Sequence, residues 1–280
     1  MKITTLGTGT PILDPERPAT TAILIEFGSQ KVLFDTGRGV TTQLLKREVH
    51  PAEIDAVFIT HHHYDHICDL GEFLLTAWHN GRQQPINVFG PPGTAAIVEA
   101  LFNQVYARDI LFALFTEPET LDISHLVRVF DATPGLVVHQ PQMRVYAQYI
   151  NHGNSLGLSQ TEWPCLAYRL ETGEAVICIG GDTVACEGLA QMAKDADVLL
   201  LSCYLADQEV KRLGMAALAE HIIASSGQVG KIAAQAGAKR LILTHFRKKS
   251  AELMASLLED VRRDFSGPID MAVDGLVIEV

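Results

Sequence analysis

The segment His-His-His-Tyr-Asp-His at residues 61–66 concentrates imidazole and carboxylate groups. Imidazole nitrogens and carboxylate oxygens are the usual ligands of a borderline cation such as zinc. His61 and His63 are two residues apart and can reach one ion, while Asp65 and His66 can turn toward a second. The alternative is a surface histidine patch, as in an affinity tag, but a tag would not contain the tyrosine and aspartate of this run. The segment therefore predicts a metal centre.

The elements around this segment indicate how it is positioned. An apolar run at residues 55–59 predicts a strand that ends directly before the histidines. Similar runs bounded by turn residues predict strands at 3–6, 22–27, 31–34, 86–89, 126–130, 143–150, 165–171, 175–179, 198–202, 240–244, 269–273 and 276–280. Helical spacing of apolar residues predicts helices at 40–47, 70–79, 94–107, 229–236 and 252–264. Residues 111–135, apart from the strand predicted at 126–130, indicate a loop-rich insertion. Strands in both halves with helices between them predict an α+β fold, with two sheets enclosed by helices in a single domain spanning residues 1–280.

Composition sets broad limits on function. The chain has 280 residues and a formal net charge of -11, whereas a nucleic-acid-binding protein usually carries a basic stripe. Nucleic acid is therefore an unlikely partner by this criterion. Five cysteines without close spacing indicate reduced thiols. Without a signal-peptide pattern, or any run of roughly eighteen apolar residues, we expect a cytoplasmic protein with no membrane span.

Four segments resemble one known family. Residues 60–66, Thr-His-His-His-Tyr-Asp-His, resemble the HxHxDH signature of the metallo-β-lactamase superfamily. Residues 6–11 (Leu-Gly-Thr-Gly-Thr-Pro) and 34–37 (Phe-Asp-Thr-Gly) are similar to the opening strands of the branch that contains ribonuclease Z and the arylsulfatase-like enzymes. Residues 243–246 (Leu-Thr-His-Phe) are similar to its last metal-ligand strand. The resemblance implies an αββα sandwich of two mixed β-sheets flanked by helices, with two metal ions at one edge.

The resemblance also implies a set of ligands. The first metal ion would be held by His61, His63 and His152, and the second by Asp65, His66 and His245. Asp182 would bridge both ions. The implied cofactors are two divalent metal ions, zinc before manganese or iron. Asp35 matches a family aspartate that orients a ligand, but a turn residue is an equal alternative because Asp-Thr-Gly is good turn chemistry.

Two residues are predicted to act in catalysis beside the metals. In the mechanism that the resemblance implies, a metal-bridging hydroxide attacks the substrate, and Asp65 orients it or takes its proton. His221 is the candidate proton donor to the leaving group. The ribonuclease Z branch has a catalytic histidine upstream of its last ligand, but the matching position in this chain is Ile223. A structural role for His221 is therefore an equal alternative.

The predicted function is that of a dinuclear metal-dependent hydrolase. The leading interpretation is cleavage of an ester-type bond (carboxylic ester, lactone, sulfate ester or phosphodiester) in a small molecule, possibly anionic. The basic run Arg247-Lys248-Lys249 would hold an anionic substrate end, or it is simply a solvated entry to the next helix. One alternative is 3′ processing of transfer RNA, as in ribonuclease Z, and another is iron-dependent redox chemistry on the same fold. A homodimer is common among such relatives, but the sequence leaves the oligomeric state open.

Overall fold

The computed structural model describes all 280 residues, which form fourteen strands and eleven α-helices. The strands are β1 (Lys2–Gly7), β2 (Ala22–Phe27), β3 (Gln30–Phe34), β4 (Ala56–Phe58), β5 (Ile86–Gly90), β6 (Val127–Asp131), β7 (Gly135–Gln140), β8 (Met143–Tyr149), β9 (Leu166–Thr172), β10 (Val176–Ile179), β11 (Val198–Ser202), β12 (Arg240–Thr244), β13 (Ile269–Met271) and β14 (Leu276–Glu279). The helices are α1 (Val40–Lys46), α2 (Tyr64–Ile67), α3 (Leu70–His79), α4 (Thr94–Ala100), α5 (Ala107–Thr116), α6 (Ile123–Leu126), α7 (Glu187–Ala193), α8 (Asp207–Leu213), α9 (Ala216–His221), α10 (Ser226–Ala236) and α11 (Ala251–Arg262).

The strands form two seven-stranded mixed sheets, in the orders β14-β1-β2-β3-β4-β5-β6 and β13-β12-β11-β10-β9-β8-β7. In the first sheet, β3 to β6 run parallel and the strands on the β14 side pair antiparallel. The second sheet repeats this plan, because β10 to β13 are parallel and β7 to β10 pair antiparallel. Apart from β14, which returns to the first sheet, the two halves of the chain thus build two sheets of the same design.

Both faces of the central strands are buried, which explains why their sequences are apolar without alternation. In β2, Ile23 and Ile25 point into the core between the sheets, whereas Leu24 points into the core beneath the outer helices. Strand β11 does the same in the second sheet, with Leu200 facing the other sheet and Leu201 facing α10 and its neighbours. The order of layers is helix, sheet, sheet, helix, and the predicted αββα fold is confirmed.

Several elements differ from the sequence-based prediction. The helix predicted for residues 94–107 is interrupted, because Leu101–Val105 form a π-helical turn in which the Tyr106 N–H donates to the Leu101 carbonyl at 2.8 Å. The stretch 111–135 was predicted to be loop-rich apart from the strand at 126–130; that strand is present as β6, but the stretch also contains the end of α5 and helix α6. Strand β7 and the short helices α7, α8 and α9 were not predicted. None of the helices is long and apolar enough to cross a membrane.

A buried ion cluster joins α8 to the segment that follows β12. Glu209 in α8 is only 2% exposed and forms ion pairs with Arg247 and Lys249. The Lys249 ammonium lies 2.7 Å from the Glu209 carboxylate and donates to the Tyr204 carbonyl at 2.7 Å. The Ala206 N–H donates to the same carboxylate at 3.0 Å. This cluster fixes the chain between β12 and α11, directly after His245.

Candidate metal centre

The predicted ligands all follow the carboxyl ends of strands at one edge of the two sheets. His61 comes after β4, His152 after β8, Asp182 after β10 and His245 after β12. The sheets are linked at this edge, because the Leu166 N–H donates to the Thr60 carbonyl at 2.8 Å. Strands that run in one direction end at the same edge, so residues far apart in the sequence meet there.

The first cluster contains His61, His63, His152 and Asp182, whose candidate ligand atoms all lie within 4.8 Å of one another. His63 Nδ1 lies 3.0 Å from His61 Nε2 and 3.1 Å from His152 Nε2. His61, His152 and Asp182 are buried, whereas His63 is exposed and forms the solvent side of the cluster. Three imidazole nitrogens and one carboxylate oxygen that converge in this way match the donor set of a divalent metal ion.

The second cluster contains Asp65, His66 and His245, again with ligand atoms within 4.8 Å. His245 Nε2 lies 3.2 Å from Asp65 Oδ2 and 3.3 Å from Asp182 Oδ2. Asp182 Oδ2 is also 3.7 Å from His66 Nε2, so this carboxylate lies between the two clusters. The structure therefore brings together all seven residues that the sequence analysis proposed as ligands.

An unpartnered nitrogen supports a metal site at the second cluster. His66 Nε2 is buried and has no hydrogen-bond partner, although buried polar atoms are normally satisfied. The other ring nitrogen, Nδ1, pairs with the Asp35 carboxylate at 2.7 Å. Nε2 is then left free beside Asp65 and Asp182, as expected for a nitrogen that binds a cation. The residues present therefore fit divalent metal ions.

The electrostatic environment keeps the groups of the first cluster in their ligand forms. Burial, followed by the charge of neighbouring histidines, lowers the pKa of His61 well below its usual value, and the pKa of His63 falls to about 4 for the same reasons. Burial alone would raise the pKa of Asp182, but His245 and His66 outweigh it and hold that pKa well below the ordinary range. At neutral pH the first cluster thus offers neutral imidazoles and a carboxylate, which are the forms that bind metal.

Neighbouring residues hold the ligands in place. The Thr60 N–H donates to the Asp35 carboxylate at 2.7 Å, which positions that carboxylate for its contact with His66. The Ser202 hydroxyl donates to Asp182 Oδ1 at 2.5 Å, and His152 Nδ1 lies 2.6 Å from the Ile222 carbonyl. Such contacts fix the orientation of a ligand and its tautomer. The contact with His66 favours a positioning role for Asp35, which the sequence had left undecided.

Replacing Asp35 with asparagine is expected to weaken metal binding by about 10- to 100-fold, because His66 loses the anion that orients its ring. The measurement is the metal dissociation constant by competition with a chromogenic chelator. Asp55→Asn is a suitable control, because Asp55 accepts a backbone hydrogen bond at the start of β3, away from the clusters. Equal metal affinity in Asp35→Asn and the wild type would exclude this role.

Trp163 is a part of the site that the sequence analysis missed. Its indole N–H donates to the His152 carbonyl at 3.0 Å, and its ring lies 4.8 Å from the His63 ring between centroids. It belongs to the loop between β8 and β9, where no metal-ligand spacing marks it. The one available signal was the tryptophan itself, in a loop of small, polar and a few aliphatic residues.

A shallow pocket of about 170 Å³ opens over the clusters. Its floor includes His63, His152, Asp182 and His245, and its walls include apolar residues such as Ile222 and Ile223. Tyr204 also lines it, with its ring 6.0 Å from the His245 ring. The pocket therefore combines metal-binding groups with an apolar wall and one phenol.

His221 does not line this pocket. Its Nδ1 atom lies 3.1 Å from the Ser155 hydroxyl, and Ile223 occupies the wall instead. The catalytic role predicted for His221 therefore stays a prediction, and its contacts also suit a structural role.

Comparison with known proteins decides the family. The family model described as Beta-lactamase superfamily domain matches residues 30–246, which include all seven candidate ligands. The chain belongs to the metallo-β-lactamase superfamily. A ribonuclease Z from Mycobacterium bovis is 30% identical to it over 251 residues, covering 88% of this chain and 86% of its own length. A ribonuclease Z from Mycolicibacterium paratuberculosis is 30% identical over 283 residues, covering 98% and 96%. The predicted resemblance to the ribonuclease Z branch is confirmed.

Solved structures agree with this fold. The metallo-beta-lactamase fold protein YhfI from Bacillus subtilis has a TM-score of 0.74 at 21% identity, covering 99% of this chain and 98% of its own. The short form of human tRNase Z has a TM-score of 0.71 at 24% identity, covering 100% and 99%. Membership of the superfamily, with the two His/Asp clusters, makes the chain a hydrolase that depends on divalent metal ions.

These relatives correct two of the predictions from sequence. The leading interpretation, cleavage of an ester-type bond in a small molecule, is wrong, because the relatives that are 30% identical and cover 88% and 98% of the chain are ribonuclease Z enzymes. The accompanying prediction of a small-molecule substrate, with nucleic acid unlikely, is wrong for the same reason. It rested in part on the net charge of -11, which is a sum over the whole chain. Such a sum does not report the local potential beside a site.

Proposed function

We propose that this chain is a ribonuclease Z-type endonuclease that hydrolyses a phosphodiester bond on the 3′ side of a transfer-RNA precursor. The observation that carries the proposal is the pair of adjacent His/Asp clusters, with Asp182 between them, beneath an open pocket. The similarity to ribonuclease Z enzymes over most of the chain supports it. The same proposal takes the 280 residues as a single domain.

The proposed cofactors are two zinc ions. His61, His63 and His152 would hold one, Asp65, His66 and His245 the other, and Asp182 would contact both. Nitrogen and carboxylate ligands favour zinc. When bound, paired divalent ions polarise the phosphoryl oxygen under attack and lower the pKa of water toward neutrality.

The protein's own residues would then orient the reactants and move protons. Asp65 is 1% exposed and contacts His245 through Oδ2. We propose that its carboxylate orients the attacking water and accepts its proton. Trp163 and the apolar wall at Ile222 and Ile223 would limit the access of bulk water to the reacting phosphate.

Tyr204 is our candidate proton donor to the leaving oxygen. Apart from the candidate ligands, it is the one residue lining the pocket that carries a dissociable proton. Burial raises the pKa of Tyr204 although Arg247 beside it acts in the opposite direction, so the phenol keeps its proton at neutral pH. His221 lacks this placement, so the pocket favours Tyr204 over it.

Replacing Tyr204 with phenylalanine is expected to lower kcat on RNA by about 10²-fold, because general acid catalysis of the leaving group is lost. On an aryl phosphodiester with a p-nitrophenolate leaving group the loss is expected to be much smaller, since that group leaves without a proton. The measurement is kcat on both substrates. A loss on RNA in His221→Asn rather than in Tyr204→Phe would instead support the sequence-based assignment.

The proposed function is tested with a labelled transfer-RNA precursor that carries a 3′ trailer. We expect one endonucleolytic cut at the start of the trailer by the zinc-loaded protein, lost on chelation and restored by zinc. His63→Ala is the inactive control. Elemental analysis should give about two zinc ions per chain, as in other two-metal hydrolases. An intact precursor with fully loaded protein would overturn the proposal, and a single bound ion would overturn its dinuclear part.

A further inference from the structure

An open groove of about 610 Å³ lies between α8 and the start of α11, beside the segment that follows β12. We call it the basic groove. Its charged lining consists of the cations Arg212, Arg247, Lys248 and Lys249 and the carboxylates Glu209 and Glu252. Four cations against two carboxylates leave a positive balance here, although the whole chain has a net charge of -11.

The four cations are of two kinds. Arg247 and Lys249 are tied to the buried Glu209 and form the inner wall. Arg212, in the last turn of α8, and Lys248 are exposed and form no ion pair. Glu209 already has two partners, and Glu252 forms no ion pair with Arg212 or Lys248. The positive charge of these two residues is therefore left for a ligand that comes from solution.

The basic groove adjoins the metal centre through one side chain. The Arg247 guanidinium carbon lies 5.5 Å from the centre of the Tyr204 ring, and that ring lies 6.0 Å from the ring of His245. Lys249 lies 5.9 Å from the same tyrosine ring. Tyr204 thus joins the metal centre to the inner wall of the groove at Arg247. An RNA strand with one phosphate over the clusters can therefore continue past Tyr204 into the groove.

We propose that the basic groove binds the sugar-phosphate backbone of the RNA substrate next to the cleaved bond, with Arg212 and Lys248 as the main contacts. The proposal rests on the proposed function and adds where the substrate strand runs. Phosphate contacts of this kind position a nucleic acid and set its register without reading its sequence. A backbone ligand is favoured over an acidic protein because the groove leads to a pocket suited to a phosphodiester.

The test uses the double variant Arg212→Gln/Lys248→Gln of the full, zinc-loaded protein. The probe for binding is a precursor transfer RNA with a non-hydrolysable phosphonate at the processing site, followed by fluorescence anisotropy at several salt concentrations. We expect Kd to rise about tenfold at 0.1 M salt and the slope of log Kd against log salt to become shallower by about 1.4, since two phosphate contacts are lost. With a cleavable precursor, we expect the KM of the variant to rise.

The matched control is Lys46→Gln/Arg128→Gln, which removes the same charge from exposed positions in α1 and β6. Equal Kd and salt slope in the groove and control variants, with normal cleavage by the wild type, would overturn the groove and leave the proposed function standing. In another outcome, the wild type cleaves no precursor but binds poly(U) more tightly than the groove variant does. That result would reject the proposed function and support RNA binding by the basic groove. Stronger competition by polyglutamate than by RNA would overturn the groove in favour of an acidic protein ligand.

Discussion

Replacing Asp182 with asparagine is expected to lower kcat on precursor RNA by at least about 10³-fold, because removing the shared anion costs several kcal/mol of transition-state stabilisation. Asp182 belongs to the first cluster, and its Oδ2 atom lies 3.3 Å from His245 and 3.7 Å from His66 in the second. A neutral amide at this position would weaken both metal sites at once.

The Asp182 prediction is checked by elemental analysis together with single-turnover cleavage. Asp109→Asn is the matched control, since Asp109 is exposed and pairs only with His79 at the surface. The control should keep full metal content and activity. If Asp182→Asn retained both metals and cleaved within about tenfold of the wild type, a loss of only about 1.4 kcal/mol, the bridging role would have to be abandoned.

Replacing Glu209 with glutamine is expected to destabilise the fold by about 3–5 kcal/mol, because it leaves a buried charge without its partner. The side chain of Lys249 is fully buried and has Glu209 as its only counter-ion. In a chain of this size such a loss lowers Tm by roughly 10 °C. The measurement is thermal and urea unfolding followed by circular dichroism.

Two comparisons make the Glu209 prediction specific. Glu53→Gln breaks the exposed Lys31–Glu53 pair and should cost less than about 1 kcal/mol. The double variant Glu209→Gln/Lys249→Met removes the stranded charge as well, so it should recover part of the loss. Full stability in Glu209→Gln would contradict a structural role for the ion cluster.

The same cluster predicts a dependence of stability on pH. Burial alone would raise the pKa of Glu209, but hydrogen bonds from Lys249, the Ala206 N–H and Arg247 outweigh it and lower that pKa in the folded protein. A carboxyl group with a lowered folded pKa stabilises the fold above its unfolded pKa. We therefore expect this contribution to be present at neutral pH and to be lost as the pH falls below the ordinary glutamate value of 4.5. It should be absent in Glu209→Gln.

The sequence predicted best those features that depend on strong local patterns. The apolar strands buried on both faces, such as β2 and β11, stood out as continuous runs between turn residues. The HxHxDH segment marked a metal centre through residue type and spacing alone. His152, Asp182 and His245 needed the family resemblance, because a single histidine or aspartate at a strand end has no local signature.

The features that the sequence did not predict depend on contacts between distant segments. Strand β7 pairs only with β8 and is largely exposed, and its apolar run is limited to the three residues 136–138. Helices α7, α8 and α9 have only 6 or 7 residues each, too few for a clear helical period. The place of Trp163 beside His63 depends on how the loop between β8 and β9 folds. The local positive charge of the basic groove was not visible in the negative net charge of the whole chain.

The division of ligands between the two halves of the chain has a mechanical consequence. The first cluster joins His61 and His63 from the half that forms one sheet to His152 and Asp182 from the other, and the second cluster likewise joins Asp65 and His66 to His245. Neither half can complete a binding site alone. The bound ions would therefore link the two halves of the chain. Their binding free energy would also oppose the separation of the halves at this edge. After chelation, we expect the backbone at this edge to open locally more often than the rest of the core. The supply of metal would therefore set the local stability of the contact between the two halves.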